Sequence, residues 1–324
     1  MDDRTTPRIG IVGAGDFGAQ HAHAYRRAGA RVLGVVDPDH SRAAALAHEV
    51  GASPFASLDE LLAHHPVDGV SIAANGAAHP RLVEHCVRAG VRVLVEKPVG
   101  PTAAAVQGIR DLPEAEDLVV PAHVLRFDTA HRALCEALPR VGTLHSISAH
   151  RNRENGHAVA YPHEHPALLT MVHDIDLCLW LTGSRFASVA ASSRGSRTPS
   201  GSDVLLAQAE LENGVLCELR SAWILPTGSP ERDRLELLGQ DGMAVLERQG
   251  EDVTVTVLVG EDVLTEHHRF EPLDREIAEM TGWLRGGPRP AVRLDEAQHG
   301  LRVAEAVIRS AAVGGTVQRI PSNL

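Results

Sequence analysis

Between Arg8 and Gly18 the sequence passes from a short apolar run, Ile9-Gly10-Ile11-Val12, into Gly13-Ala14-Gly15-Asp16-Phe17-Gly18. The run reads as a buried parallel strand, and the G-x-G-x-x-G opens what reads as a helix. A second strand, Arg31 to Val36, ends on Asp37. That acid lies about 20 residues beyond the last glycine, where a dinucleotide fold places one. A glycine-rich turn by itself need bind nothing; strand, glycines, helix, strand and acid in sequence restrict the start of the chain to a βαβ unit. Gly13 suits the tight turn, Gly15 the close approach of a pyrophosphate, and Gly18 the packing of helix on strand. Asp16 and Phe17 belong to the same ligand-facing turn. The pyrophosphate would rest on the free N–H groups of the following helix. Asp37 is placed to accept from both adenosine ribose hydroxyls. With no arginine directly beside Asp37, this favours NAD over NADP, and Arg42 is the nearest residue that could argue otherwise.

The remainder of the first 122 residues keeps that grammar. A helix from Arg42 to Val50 stops at Gly51, Pro54-Phe55 forms a short edge strand, and Ser57-Leu58-Asp59-Glu60 is a capping-box start to a helix ending at His65. Buried strands follow at Val67–Ala74, Val91–Val95 and Leu118–Val120, with a helix from His79 to Ala89 between the first two. Strands separated by helices of this length predict a Rossmann-type, doubly wound parallel sheet in an α/β domain, residues 1–122. Beyond residue 123 the pattern becomes α+β, with helices at Ala130–Leu138 and Ala167–Leu181 and long strands joined by Asn213-Gly214, Asp241-Gly242 and Gly260-Glu261-Asp262. Asn-Gly between apolar runs is a strong hairpin signal. Residues 123–324 are thus expected to form a mainly antiparallel substrate and oligomerisation domain, with Ser192–Ser202 a loop within it. Helices are expected at Asp274–Arg285 and Asp295–Ala312, and the last, 295–312, is free to pack back on the first domain.

At 324 residues the chain accommodates two domains, and a net charge of −11 opposes nucleic acid or an anionic membrane as partner. The polar start, Met1-Asp2-Asp3-Arg4, lacks a signal peptide's apolar core, so the expected setting is the cytoplasm. Cys86, Cys135, Cys178 and Cys217 form no C-x-x-C pair and read as free thiols.

Ligands of open α/β sheets bind at the carboxyl ends of the strands. Asn75 to His79, Glu96-Lys97-Pro98 and His123 to Arg126 all fall there. Lys97, at the end of an apolar strand and followed by a stiffening proline, suits stabilisation of a developing alkoxide. A strand-end lysine paired with a surface acid fits the same residue type. In the second domain, His173 lies in an apolar helix one turn before Asp176 and reads either as a core histidine or as a base. The preceding segment holds His157, Tyr161, His163, Glu164 and His165. It suits a pocket lining, with Tyr161 or His163 touching substrate, or a solvated loop; its spacing fits no standard metal-ligand pattern, so no metal is expected.

Taken together, Gly13 to Gly18, Asp37, Asn75 with His79, Glu96-Lys97-Pro98, His123-Val124-Leu125-Arg126-Phe127 and His173-Asp174-Ile175-Asp176 resemble the glucose–fructose oxidoreductase, inositol dehydrogenase and rhizopine-catabolism (Gfo/Idh/MocA) family. The resemblance covers nearly the whole chain. It implies an NAD(P)-dependent oxidoreductase moving hydride between the nicotinamide and a hydroxyl or keto carbon of a sugar, cyclitol or related polyol. It further implies Asn75, His79 and Glu96 near the cofactor, and Lys97 reaching both nicotinamide and substrate hydroxyl. His173 is then the proton acceptor or donor, and homodimers or homotetramers form through the second domain's sheet. His123, Arg126, Tyr161, His163 and Asp176 are the candidate substrate contacts. Two positions depart from the pattern: Ala74 replaces a common proline, and Leu169 replaces a common aspartate four residues before His173. Leu169 keeps two alternatives open, a catalytically silent dinucleotide-binding protein and an NAD-assisted hydrolase or eliminase of sugars.

Overall fold

The structure, a computed structural model, describes residues 6–161, 164–195 and 202–321. Along the chain the strands are β1 (Arg8–Val12), β2 (Arg31–Val36), β3 (Ser53–Phe55), β4 (Gly69–Ile72), β5 (Arg92–Val95), β6 (Val119–Pro121), β7 (Leu144–Glu154), β8 (Phe186–Arg194), β9 (Val204–Leu211), β10 (Leu216–Leu225), β11 (Arg232–Gly239), β12 (Gly242–Gln249), β13 (Asp252–Val259), β14 (Asp262–Arg269) and β15 (Gln318–Arg319). The helices are α1 (Asp16–Arg27), α2 (His40–Val50), α3 (Leu58–His64), α4 (His79–Arg88), α5 (Ala103–Arg110), α6 (Ala115–Leu118), α7 (Thr129–Val141), α8 (Gly156–Ala160), α9 (Val172–Thr182), α10 (Pro272–Leu284) and α11 (Leu294–Ala312). They form two compact units. One runs to Val124 and takes in Pro272–Gln298; the other comprises Leu125–Glu271 and the chain from His299 onward.

The first unit carries a six-stranded sheet in the order β3-β2-β1-β4-β5-β6, every adjacent pair parallel. Strand order reverses between β1 and β4, which makes their carboxyl ends the ligand-binding edge of such a sheet. The central strands are buried apolar runs, as strands covered on both faces must be, and Ser71 is the polar exception in β4. The capping box forms as expected: Ser57 Oγ accepts the Glu60 N–H at 3.3 Å, and Glu60 accepts the Ala56 N–H at 3.0 Å. Residues 272–298 belong to this unit; the expected second domain spanned 123–324, with only the helix at 295–312 free to pack back on the first. The cause is the apolar stripe of α10, where Ile277, Met280 and Trp283 are buried. Arg27 also pairs with Asp274 at 2.5 Å, and the Arg92 guanidinium lies 4.7 Å from the centre of the Trp283 ring.

The second unit is built on nine strands ordered β14-β13-β12-β11-β7-β10-β9-β8-β15. Adjacent pairs are antiparallel apart from β7 with β10, and α7 and α9 pack against strands of the sheet. The Asn213-Gly214 hairpin is present, with Gly214 at φ 86°, a conformation that favours glycine. Two features depart from expectation. The central strand β7 was not anticipated, because its buried positions continue from Ile147 and Ala149 to Arg151 and Arg153, so its inward face is half apolar and half charged. The helix expected from Ala167 begins as a π-helical turn, Ala167–Met171, before α9. Strand β8 also claims Ser192 to Arg194 from the expected loop, pairing them with Val204 to Leu206.

Candidate active site

In the first unit the glycine turn is shaped as its sequence demands. Gly13 has φ 100°, and a Cβ there would lie 2.5 Å from the Ala73 carbonyl oxygen. A Cβ on Gly18 would overlap the Gly13 carbonyl, whereas one on Gly15 would meet nothing within 4 Å. Gly15 therefore opens onto free space at the start of α1, whose N-cap makes no side-chain hydrogen bond. Uncapped N–H groups beside an open glycine are what a pyrophosphate needs, so these residues fit a dinucleotide. Asp16 and Phe17 are both exposed, Phe17 to 44%.

The Asp37 carboxylate is held rigidly, one oxygen accepting the Ala14 N–H and the other the Asp39 N–H, each at 2.8 Å. Arg42 lies 3.5 Å from Asp39, its Nε directed to that carboxylate. Asn75 is exposed, and its Oδ1 accepts the Ala77 N–H at 2.9 Å. His79 is buried, with Nδ1 2.8 Å from the Pro98 carbonyl oxygen and Nε2 2.9 Å from that of Ala74. Its ring staples the loop after β4 to the cis Lys97–Pro98 turn.

Glu96 and Lys97 emerge from the end of β5. Glu96 Oε1 lies 3.0 Å from His21 Nε2, and Oε2 accepts the Lys97 N–H at 3.1 Å. Burial alone would raise the Glu96 carboxyl, but the hydrogen bond from His21 and the Lys97 ammonium beside it hold it below the usual glutamate range. Lys97 is the sole lysine of the chain; every other member of the 31 Lys and Arg residues is arginine. This signal lay in the composition and is stronger than strand-end position. Arginine stays protonated, whereas lysine is a compact ammonium that can share or lose its proton. His123, after β6, is buried.

In the second unit His173 is half-buried between Val172 and Asp174 at the start of α9. Both neighbouring acids are tied down. Asp176 takes a bidentate pair from Arg126, at 2.7 and 2.9 Å, both side chains buried. Asp174 accepts from Arg151 at 2.8 Å, and burial raises its carboxyl against the pull of that arginine. Arg151, Arg153 and Arg248 converge on Asp233 at 3.1, 2.6 and 3.0 Å. Burial works against ionisation of Asp233, but the three guanidiniums outweigh it and bring the carboxyl down to about 2. Arg126 and Asp176, expected among the substrate contacts, pair with each other across 50 residues of chain. Leu169 lies inside the π-helical turn, four residues ahead of His173. Thr170 in the turn accepts from Trp223 Nε1 at 3.0 Å. Tyr161 is half-buried with its ring 5.2 Å from that of His157, which in turn stands 5.4 Å from Trp223. His163 lies outside the described residues.

Among the described residues no group of three or more His, Cys, Asp or Glu side chains is placed to hold a metal, and no helix is long and apolar enough to cross a membrane. His21, Ser71 and Glu276 went unnoticed in the sequence. Each is a polar residue in an otherwise apolar helical or strand face, which was the available signal.

Residues 7–123 match the family described as "Oxidoreductase family, NAD-binding Rossmann fold", and residues 139–245 match the "GFO/IDH/MocA C-terminal domain". The chain belongs to the GFO/IDH/MocA oxidoreductase family. It is similar to inositol 2-dehydrogenase 2 of Saccharopolyspora erythraea, at 32% identity over 96% of this chain and 95% of that protein. A solved structure of the UDP-N-acetylglucosamine 3-dehydrogenase of Acidithiobacillus ferrooxidans is similar at TM-score 0.83 and 25% identity, covering 94% of this chain and 98% of that one. The apo scyllo-inositol dehydrogenase of Lactobacillus casei shares the fold at TM-score 0.86 and 20% identity, over 97% and 98% of the two chains.

Proposed function

We propose that this oxidoreductase is an NAD-dependent dehydrogenase of a cyclitol, sugar or related polyol. The observation that carries the reading is the lone lysine at the carboxyl end of β5, in a unit whose glycine turn fits a dinucleotide. The similarity to inositol 2-dehydrogenase 2 supports the substrate class. Asp37, buttressed by Ala14 and Asp39, supports NAD over NADP: a 2′-phosphate would meet two carboxylates, and the nearest arginine already faces one of them.

Gly13, Gly15, Asp16, Phe17, Gly18, Asp37, Asn75 and Glu96 hold the cofactor. The bound nicotinamide supplies the hydride acceptor. Lys97 stabilises the negative charge that develops on the substrate's hydroxyl oxygen, and His173 takes the hydroxyl proton. His123 and Tyr161 contact substrate, while the Arg126–Asp176 pair holds the helix that carries His173. The protein self-associates as a homodimer or homotetramer through the outer face of the nine-stranded sheet, a reading supported by Leu206, Leu216, Ile224 and Leu238 exposed along it. It works in the cytoplasm, where thiols such as its four free cysteines stay reduced.

The test measures NADH formation from NAD+ with myo-inositol, scyllo-inositol and UDP-N-acetylglucosamine. Lys97→Arg and His173→Ala are each expected to lower turnover by about 10²-fold or more while NAD+ affinity changes little. Wild-type turnover in both variants overturns the roles. NADH binding without turnover of any substrate by the wild type returns the chain to a silent dinucleotide-binding protein.

A further inference from the structure

Beneath the Glu96–Lys97 turn the first unit contains a line of buried polar groups that the reaction as read above does not use. His21, on the buried face of α1, lies fully inside the protein. Its Nδ1 is 2.8 Å from Ser71 Oγ, and its Nε2 is 3.0 Å from Glu96 Oε1. Ser71 is buried in the middle of β4. At the far end Glu96 Oε2 accepts the backbone N–H of Lys97 at 3.1 Å.

The hydrogen inventory of these groups allows one consistent direction for a neutral imidazole. Nε2–H donates to the carboxylate, and Nδ1 accepts the Ser71 proton. Neither contact then sets two donors face to face. The Glu96 carboxylate is the pivot, gripped by His21 from beneath while gripping the backbone of Lys97 above.

We infer that His21 is a positioning residue for Lys97, acting through Glu96 to fix the backbone from which the lysine side chain is presented. Ser71 holds the imidazole in the tautomer that keeps a proton on Nε2. The inference rests on the role proposed for Lys97, but its structural half is testable without turnover. Because Lys97 is the sole lysine, protein labelled with 15N-lysine shows a single lysine backbone amide, which reports directly on the bond to Glu96.

The discriminating pair is His21→Gln and His21→Asn. Glutamine places an N–H near the position of Nε2 and retains the donor to Glu96; asparagine places its polar end near Nδ1, keeping a partner for Ser71 and losing Glu96. His21→Asn is expected to shift the Lys97 amide resonance and to lower kcat about tenfold with myo-inositol, with the NAD+ Kd and substrate KM within about twofold of wild type. His21→Gln is expected to retain the wild-type resonance and kcat within about threefold. Equal losses in the two variants, a weakened NAD+ Kd that accounts for the loss, or an unmoved amide in His21→Asn overturns the inference. Should His21→Asn fail to fold, Ser71→Ala decides, since freeing the ring must move the same resonance; a stationary resonance overturns the inference. Absence of wild-type turnover on every substrate marks failure of the functional reading alone, and the amide shifts then decide the positioning role by themselves.

Discussion

The two units build their parts of the chemistry from different materials. In the first, the ligand surface is backbone: a glycine turn within six residues of chain, steadied by one nearby carboxylate, Asp37. In the second, the helix bearing His173 is held by charges drawn from far along the chain. Arg126 and Asp176 are 50 residues apart, and Arg151 and Asp233 are 82 apart. A backbone site needs little from the rest of the fold except space, whereas a buried ion network is satisfied only when every strand that contributes to it is in place. Damage to the first should therefore appear in ligand binding, and damage to the second in stability.

The largest expected effect tests the second half of that contrast. Asp233→Asn leaves three buried guanidiniums without their shared anion and should cost about 3–5 kcal/mol in denaturant unfolding. The acid limb carries its own signature. Asp233 sits at about 2 in the fold against an ordinary 3.8, so it stabilises the protein above pH 3.8. That contribution fades as pH falls toward 2, and the gap between wild type and variant should close over the same range. A small, pH-independent loss would show the network to be decorative.

Gly15→Ala tests the first half. Its backbone is extended, at φ −82°, and an added Cβ meets no protein atom within 4 Å, so the unfolding free energy should stay within about 0.5 kcal/mol of wild type. NAD+ affinity, read by titration calorimetry, should nevertheless fall roughly tenfold or more, equivalent to at least ~1.4 kcal/mol. Unchanged affinity would mean that no pyrophosphate approaches there.

A further effect lies where the contrast is least tidy, in a charge buried within the backbone-built unit. Glu276 is fully buried, and neither carboxyl oxygen has a hydrogen-bond partner. Burial, and then the charges of Glu96 and Glu279, push its carboxyl well above the ordinary 4.5. The folded state thus holds a proton that the unfolded chain releases, and wild-type stability drops as pH rises from about 4.5 toward the folded value. Thermal unfolding of Glu276→Gln should track wild type near pH 4.5 and fall less on going to pH 8, by about 1.4 kcal/mol for each unit of elevation. Parallel curves would place the Glu276 carboxyl in water.

The same contrast explains what could be read in advance. The parallel sheet, the glycine turn, Asp37 and Lys97 were legible because their requirements are local: a φ only glycine favours, an apolar run, a residue at a strand end. Strand β7 was not legible, since Arg151 and Arg153 look like solvent-facing residues until Asp233, Asp174 and Arg248 are known to meet them. The pairing of Arg126 with Asp176 was not legible for a related reason. Polar residues near a motif suggest ligand contacts, and a pairing between two of them shows only in the tertiary structure. The π-turn before His173 left no trace in the spacing of apolar residues, because a run apolar on all sides has no periodicity to break.

Strand β7 also bears on how the protein is made. It lies at the centre of the nine-stranded sheet, yet both of its neighbours, β10 and β11, follow it in the chain. A nascent chain that has reached only residue 215 holds β7 with neither edge paired and with Arg151 and Arg153 still waiting for Asp233. The first unit is delayed in turn, since α10 reaches it only from residue 272 onward. Domains usually mature in order as they leave the ribosome. Here neither unit closes until most of the chain has been translated, which leaves a long interval with strand edges unpaired.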